Sequence, residues 1–240
     1  YYYMNKFYQK GIYPSVYKII AIGDLHGDWK ATLLSLKKGK IIDNNLNWIA
    51  GKTHVVQLGD ILDRKIRSYQ GQNDENSEFK IFNLFLKLQK QAFNAGGAFH
   101  CIIGNHELMN ILGQFNYVSR MGFKNFRRPI DRKNFFRPGG KICKLFANSW
   151  NTVIRIGKYI FLHGGMSVAI SKKYNIPMIN KIMRTYLMGN IKIFYTNAFK
   201  ELFINEKSIL WNREYSNTNP NCKKAKKVLI NQNASYMVLG

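Results

Sequence analysis

The sequence has few cysteines and no long hydrophobic run. Cys101, Cys143 and Cys222 are odd in number and far apart, which argues against a disulfide scaffold or a zinc knuckle and favours a reducing compartment. No apolar run approaches the roughly 18 to 20 residues needed to cross a membrane, and the start YYYMNKFYQK lacks the apolar middle of a signal peptide. We therefore predict a cytoplasmic protein with no membrane span.

Acidic residues are also scarce. The 13 Asp and Glu residues face 37 Lys and Arg residues, a formal charge of +24. Such a surface attracts polyanions, so acidic protein, nucleic acid and anionic membrane are all possible partners. The alternative is compositional, because Lys, Asn, Ile, Phe and Tyr are abundant together, as an A- and T-rich coding sequence would produce. The charge leaves both interpretations open.

Hydrophobic residues, by contrast, are plentiful, and they alternate between two periodicities. At 240 residues and 46% hydrophobic content the chain can bury a full core. Short apolar runs at 17–23, 53–59 and 98–104 predict buried strands, and the segments between them predict helices, the first capped by Asp28. The alternation predicts an α/β core with helical crossovers.

Two further strand-like runs, NTVIRIG and KYIFLHGG, follow around Gly157 and predict a hairpin. Residues 176–207 and 221–233 have a helical pattern, and the lysines of KKAKK at 223–227 suit its solvated face. We find no internal repeat or low-complexity linker. The chain is therefore predicted to form one domain over 1–240.

The stretch 114–150 differs from the rest because it is basic and aromatic. Between Arg120 and Lys144 there are nine Lys or Arg residues against one acid, Asp131, with phenylalanines interleaved. One interpretation is a surface for an acidic phosphopeptide or nucleic acid. The other is a cap or insertion whose phenylalanines pack inward while its charges face water. The second is slightly favoured.

Four predicted strands end in polar motifs. These are GDLHGD at 23–28, GDILDR at 59–64, GNHE at 104–107 and LHGG at 162–165. In α/β sheets such strand ends meet in one crevice, so the motifs predict convergent ligands. Carboxylates, an amide and imidazoles form a donor set suited to Mn, Fe or Zn rather than calcium. A carboxylate bridging two such ions would favour in-line displacement at phosphorus, which predicts phosphoester hydrolysis.

The order of these motifs resembles the metallophosphoesterase superfamily, specifically its phosphoprotein phosphatase branch. The longer segments GKTHVVQLGDILDR and IIGNHELMN resemble the Shewanella-like protein phosphatases within that branch. The resemblance runs from about Lys18 to the end of the chain. It implies a single calcineurin-like domain: a β-sandwich of mixed sheets flanked by helices, with the active site at the carboxyl ends of the strands.

The resemblance also implies roles for individual residues. It implies ligands for two divalent metal ions: Asp24, His26, Asp60, Asn105 and His163. Asp60 would bridge both ions, and manganese is the expected metal, with iron or zinc possible. His106 would be the general acid, paired with Asp63, and Arg64 and Arg213 would bind the substrate phosphate.

Two departures from the family pattern stand out. Lys65 follows Arg64 where the family usually has glycine, so the turn there is expected to differ in shape. The family's last metal ligand is a histidine after a strand like YMVLG, whereas this sequence ends at Gly240. We expect the natural chain to continue and to supply that ligand.

Several other polar residues have simpler explanations. We expect His54, His100 and Cys101 to be structural because they lie inside predicted strands. Glu107 is expected to brace the helix after GNHE, and Asp28 to act as a helix cap.

The leading hypothesis is a dinuclear-metal phosphomonoester hydrolase, a protein phosphatase, in which metal-bound hydroxide attacks phosphorus. The alternatives are a dinucleoside polyphosphate hydrolase and a non-catalytic polyanion-binding protein with a degenerate metal site.

Overall fold

The protein is a sandwich of two β-sheets, seen in a computed structural model that describes residues 11–65, 76–216 and 220–240. In the described part, the first sheet is parallel, with strand order β2-β3-β4. Its strands are β2 (Ile19–Ile22), β3 (His54–Gln57) and β4 (Ala98–Cys101). β3 is the central strand, and its Val55 and Val56 are fully buried.

The second sheet is mixed and has the order β1-β5-β6-β7. Its strands are β1 (Ile12–Tyr13), β5 (Val153–Ile156), β6 (Tyr159–Leu162) and β7 (Tyr236–Leu239). β5 and β6 form the predicted antiparallel hairpin, and the other two pairs are parallel. Gly157 in the hairpin turn has φ 56°, a conformation that glycine adopts without steric cost.

The two sheets face each other across an apolar layer. Its buried residues come from both sheets and the loops beside them: Tyr13, Val56, Leu58, Ile102, Ile154, Ile156 and Phe161. Each fully buried aliphatic side chain of this kind contributes roughly 1.5–3 kcal/mol. This arrangement confirms the predicted sandwich of sheets flanked by helices.

Crossover helices cover the outer face of the first sheet. They are α1 (Trp29–Lys38) and α2 (Glu78–Asn94). Asp28 caps α1 by accepting a 2.8 Å hydrogen bond from the Ala31 N–H, as predicted. The run 17–23 contains the predicted strand β2, but the expectation that this strand is buried is wrong, because β2 lies at an edge of the described sheet and Ala21 is exposed.

The segment 114–150 is helical, which its sequence pattern does not predict. After α3 (Asn105–Ile111) come α4 (Arg120–Lys124), α5 (Pro129–Phe136) and α6 (Lys141–Ser149). The rings of Phe126 and Phe135 pack within 6 Å of Phe79 on α2, and Phe136 is fully buried. The phenylalanines therefore pack inward, as the second interpretation expects.

Further helices cover the second sheet. These are α7 (Val168–Lys173), α8 (Ile176–Leu187), a 3₁₀ helix (Ile191–Tyr195), α9 (Asn197–Phe199) with a π-helical turn (Lys200–Ile204), and α10 (Cys222–Asn231). α8 packs against α6 and β5, and α10 packs against α7 and β7. Within the described ranges, no helix is long and apolar enough to span a bilayer.

Candidate metal centre and active site

Side chains from four strand ends meet at one edge of the sandwich. Among the described residues, two groups could each hold a metal ion, with candidate ligand atoms within 4.8 Å of one another. One group is His26, Asp60 and His106, and the other is Asp24, Asp60 and His163. Asp60 belongs to both groups, which is the arrangement a bridging carboxylate requires.

The backbone is strained where it presents these side chains. His26, Asp60 and Asp63 have φ values of 44°, 54° and 72°, in the left-handed region that non-glycine residues rarely adopt. Each such residue costs of order 1–3 kcal/mol, and such strain clusters at functional sites. A side chain on Gly59 would lie 2.7 Å from the backbone of Gly104, so glycine at 59 lets the two motifs meet.

Glu107 stabilises these strained loops from beneath. Its fully buried carboxylate accepts hydrogen bonds of 2.8–3.2 Å from four backbone N–H groups: Gly104, Asp60, Ile61 and Leu62. Burial and the charge of Asp60 raise the pKa of Glu107 to about 7 despite these bonds. Glu107 therefore braces the GDILDR loop as well as the helix after GNHE.

The ring of His26 is oriented so that one nitrogen faces the site. Its Nδ1 lies 2.9 Å from the Leu62 carbonyl, which can only accept, so Nδ1 carries the proton. Its Nε2 is buried, has no hydrogen-bond partner among the described residues, and lies 3.7 Å from Asp24 Oδ2 and 3.9 Å from Asp60 Oδ2. A buried lone pair facing two carboxylates fits a metal ligand fixed by its second nitrogen.

His163 has the same organisation on the other side of Asp60. Its Nδ1 lies 2.9 Å from the Leu58 carbonyl, and its Nε2 lies 2.6 Å from Asn105 Oδ1 and 3.3 Å from Asp60 Oδ2. Asn105 Oδ1 thus lies beside the same imidazole nitrogen as the Asp60 carboxylate.

The pKa shifts of His163 and Asp60 also suit a site for a cation. Burial lowers the pKa of His163, but the hydrogen bond and charge of Asp60 and the charge of Asp24 raise it to about 9. Burial raises the pKa of Asp60, but His163 and His106 lower it to about 2. The pocket thus stabilises positive charge beside an ionised carboxylate, and its mixed oxygen and nitrogen donors fit divalent manganese, iron or zinc.

His106 is held by Asp63 and faces the pocket. Its Nδ1 is 2.9 Å from Asp63 Oδ2, its Nε2 is 3.8 Å from Asp60 Oδ2, and the ring of Tyr117 packs edge-on at 5.1 Å. Burial lowers the pKa of His106, but the hydrogen bond to Asp63 and the charge of Asp60 raise it overall. A protonated Nε2 at the pocket wall suits a general acid.

The two predicted phosphate-binding arginines differ in how they are held. Arg64 is nearly buried, pairs with Asp28 Oδ2 at 2.9 Å, and keeps a buried Nε with no partner among the described residues. Asp28 thus holds Arg64 as well as capping α1, a role that the sequence does not reveal. Arg213 is exposed, and its Nη1 is 3.3 Å from the Leu210 carbonyl, beside Gly164.

The two departures from the family pattern lie close to this site. The Lys65 N–H donates to the Tyr117 carbonyl at 3.1 Å, which joins the turn after Arg64 to the segment over His106. Gly240 follows β7 beside the metal residues, since a Cβ there would lie 3.1 Å from Asp24 Oδ1 and 2.9 Å from His163 Nδ1.

Sequence reasoning missed the residues behind His106. Asn110, Glu78 and Arg132 lie behind the pair formed by His106 and Asp63, and all three are buried. Asn110 could have been found, because it falls four residues after His106 in GNHELMN and so shares its helix face. Arg132 could not, because it reads as one more cation in a basic stretch.

Comparison with known proteins identifies the family. The model of the family described as calcineurin-like phosphoesterase matches residues 17–231. The chain belongs to this family. This calcineurin-like phosphoesterase is 33% identical over 232 residues to Shewanella-like protein phosphatase 1 of Plasmodium berghei and 30% identical over 241 residues to Shewanella-like protein phosphatase 2 of Arabidopsis thaliana. The alignments cover 93% and 83% of this chain but only 60% and 58% of those proteins.

A solved structure also matches this calcineurin-like phosphoesterase. The cold-active protein-tyrosine phosphatase of a psychrophilic Shewanella species aligns with a TM-score of 0.77 at 27% identity, covering 96% of this chain and 67% of that one. The similarity to Shewanella-like phosphatases predicted from GDILDR and GNHELMN is therefore confirmed, while the chain spans about 60% of the length of its curated relatives.

Proposed function

We propose that this calcineurin-like phosphoesterase is a dinuclear-metal phosphomonoester hydrolase that acts on phosphoprotein. One observation carries the proposal: Asp60 belongs to both groups of side chains that could hold a metal ion, and His106, backed by Asp63, faces the same pocket. The names of the relatives support the substrate class, since two are called protein phosphatases and the solved structure a protein-tyrosine phosphatase.

The metal ligands follow from the family resemblance together with the distances between their atoms. Asp24 Oδ2 and His26 Nε2, 3.7 Å apart, would hold one divalent ion, Asn105 Oδ1 and His163 Nε2, 2.6 Å apart, the other, and Asp60 both. His106, although it lies within reach of the first ion, is kept as the acid because Asp63 holds its Nδ1. Manganese is the metal we expect, and iron or zinc would suit the same donors. When bound, the ions would polarise the phosphoryl oxygens and acidify the attacking water.

The remaining side chains bind the phosphate and move the proton. The planar guanidinium of Arg64, anchored by Asp28, would donate two parallel hydrogen bonds to phosphate oxygens, and Arg213 would contribute a second cation. As water attacks and the ester P–O bond breaks, His106 Nε2–H would give its proton to the leaving oxygen. Asp63 would stay ionised and hold the imidazole in the orientation this transfer needs.

The basic segment over α4 and α5 would favour acidic phosphoproteins. Exposed cations there include Arg120, Lys124 and Arg127, with Asp131 already paired to Arg128 at 3.0 Å. A surface of this sign raises the local concentration of anionic substrates and loses that effect as salt screens it.

A metal-dependent assay on the full-length protein tests the proposal. Rates would be measured on p-nitrophenyl phosphate, a phosphotyrosine peptide, a phosphoserine peptide and diadenosine tetraphosphate, with and without Mn²⁺. We expect Mn²⁺-dependent hydrolysis of monoesters, and a loss of about 10³-fold or more in Asp60→Asn because the shared ligand is gone.

Asp43→Asn is the matched control. Asp43 Oδ1 accepts hydrogen bonds from Asn45 and Asn47 in a turn away from the site, so this variant should stay within about twofold of wild type. Undiminished turnover by Asp60→Asn would contradict the proposal. Preference for the dinucleotide would favour the polyphosphate hydrolase, and polyanion binding with no turnover would favour a non-catalytic protein.

A further inference from the structure

The general acid is connected to a buried hydrogen-bond network that extends into α5. Asp63, which is 1% exposed, binds His106 Nδ1 through Oδ2 and accepts a 2.9 Å hydrogen bond from Asn110 Nδ2 through Oδ1. The Asp63 backbone N–H donates to Glu78 Oε1 at 2.9 Å. Both the side chain and the backbone of Asp63 are therefore held from behind.

Asn110 links the two members of the His106–Asp63 pair. Its Nδ2 donates to Asp63 Oδ1 and also to the His106 carbonyl at 3.0 Å, one turn earlier on α3. Its Oδ1 accepts a 2.9 Å hydrogen bond from Arg132 Nε. Because a guanidinium can only donate, Arg132 fixes which end of the amide is oxygen and so turns the NH₂ group toward Asp63.

Arg132 is completely buried although it comes from the most basic stretch of the chain. Its Nη1 and Nη2 both lie 3.1 Å from Glu78 Oε2, and Nη1 donates to the Gly122 carbonyl at 2.9 Å. Its guanidinium carbon lies within 6 Å of four aromatic ring centres: Phe115, Phe123, Phe126 and Phe136. The side chain is thus held in one orientation.

The one buried cation of this network is paired with both of its carboxylates. Arg132 Nη2 is 4.0 Å from Asp63 Oδ1 and 3.1 Å from Glu78 Oε2, so one buried cation lies between two buried carboxylates. A buried charge is costly unless it is paired and hydrogen-bonded, and breaking such a set is more damaging than its net contribution suggests. The arrangement keeps Asp63 an acceptor on both oxygens.

We propose that Asn110, Arg132 and Glu78 are positioning residues for the general acid. They hold Asp63 so that Nε2 of the His106 imidazole faces the pocket. Because Arg132 lies on α5, the orientation of this imidazole depends on how α5 packs. This inference rests on the proposed function, because it assumes that His106 donates a proton to the leaving oxygen. A purely structural role would instead only anchor α5 to the core.

Substrates with different leaving groups distinguish a positioning role from a purely structural one. p-Nitrophenolate departs with little help from an acid, whereas phenolate needs a proton. In Asn110→Ala we expect kcat on phenyl phosphate to fall about 10- to 100-fold, but about threefold or less on p-nitrophenyl phosphate, with KM unchanged for both. Arg132→Lys, which keeps the charge and loses the planar fork, should change the same ratio in the same direction.

Asn180→Ala is the matched control. Asn180 is equally buried and bonds the Thr152 and Val153 backbone at 2.8–3.0 Å, outside the network behind Asp63. Its loss should alter both substrates equally. An unchanged ratio between the two substrates in both Asn110→Ala and Arg132→Lys would overturn the inference.

A second readout does not depend on turnover. In the metal-free full-length protein, we expect the NMR signal of the His106 Nδ1–H bonded to Asp63 to shift or broaden in Asn110→Ala and Arg132→Lys, and to stay in place in Asn180→Ala. An unmoved signal in both network variants would contradict the inference. If wild type hydrolyses neither ester, the proposed function fails, while this signal still decides whether the network orients His106.

Discussion

The five histidines of this protein fall into two groups, and all of them except the half-buried His54 are buried. His26, His106 and His163 follow strand ends and surround Asp60. His54 begins β3, and its Nδ1 lies 3.2 Å from Nε2 of His100 on β4, against the ring of Tyr13. Both groups bring imidazoles close together in a largely buried setting, yet the pKa shifts of the two groups have opposite signs.

Carboxylates account for the difference. Burial acts to lower the pKa of His54, His100, His106 and His163. At His163, Asp60 and Asp24 reverse that effect and raise the pKa to about 9. At His100, burial and the charge of His54 together lower it to about 3. Burial alone therefore does not distinguish the candidate site histidines, whereas burial beside an ionised carboxylate does.

Substituting one histidine from each group is the largest test of this comparison. We expect His106→Gln to lower kcat on phenyl phosphate by about 10²- to 10⁴-fold, because the proton donor is lost. His100→Gln should leave kcat within about twofold and affect only stability. Initial rates at saturating Mn²⁺, with folding checked by circular dichroism, measure both. Comparable losses of rate in the two folded variants would remove the distinction.

The free energy of unfolding should depend on pH through His100, which pairs with His54. The pKa of His100 is about 3 in the folded protein and about 6.5 in the unfolded chain. Below pH 6.5, His100 is therefore protonated in the unfolded chain while it stays neutral in the folded protein. This contribution is fully present above pH 6.5 and is lost as pH falls toward 3, about 2 kcal/mol of it by pH 5.

The matched variant for this test is His100→Phe. Urea unfolding of both proteins at pH 7 and pH 5 would give the difference in unfolding free energy. We expect His100→Phe to lose about 2 kcal/mol less than wild type over that interval. Equal losses in the two proteins would mean that His100 is not the group that titrates.

Alanine substitutions at two glycines, one at the site and one away from its close backbone contacts, should have a smaller effect, on stability. Gly59 and Gly51 both have positive φ, but a Cβ on Gly59 would lie 2.7 Å from Gly104, whereas around Gly51 there is open space. Gly51→Ala should cost about 1 kcal/mol and Gly59→Ala roughly 1–3 kcal/mol more. Thermal unfolding measures both, and equal costs would show that the close approach at the site carries no strain.

The sequence predicts much of this organisation because local signals carry it. The strand ends are visible as apolar runs that break into GDLHGD, GDILDR, GNHE and LHGG, and Asp28 begins α1 as its cap position indicates. His54, His100 and Cys101 lie inside strands, as the sequence predicts. The cytoplasmic location, the single-domain boundaries and the individual metal and phosphate ligands stay predictions.

What the sequence does not predict depends on contacts between distant segments. Helices α4 to α6 escape prediction because Gly, Pro and clustered charges hide their short apolar faces. Arg132 pairs with Glu78, 54 residues away, so its burial inside a basic stretch has no local signal. The pairing of Asp28 with Arg64 is hidden for the same reason.

Asp60 is proposed to join two metal sites, and counting the ions bound per chain is the most direct test of this role. The full-length protein would be dialysed against Mn²⁺, and the ions bound per chain would be determined by elemental analysis, for wild type, Asp60→Asn and His100→Gln. We expect two ions per chain in wild type and His100→Gln, and fewer than one in Asp60→Asn. Two ions retained by Asp60→Asn, or none bound by wild type, would contradict the proposed role of Asp60.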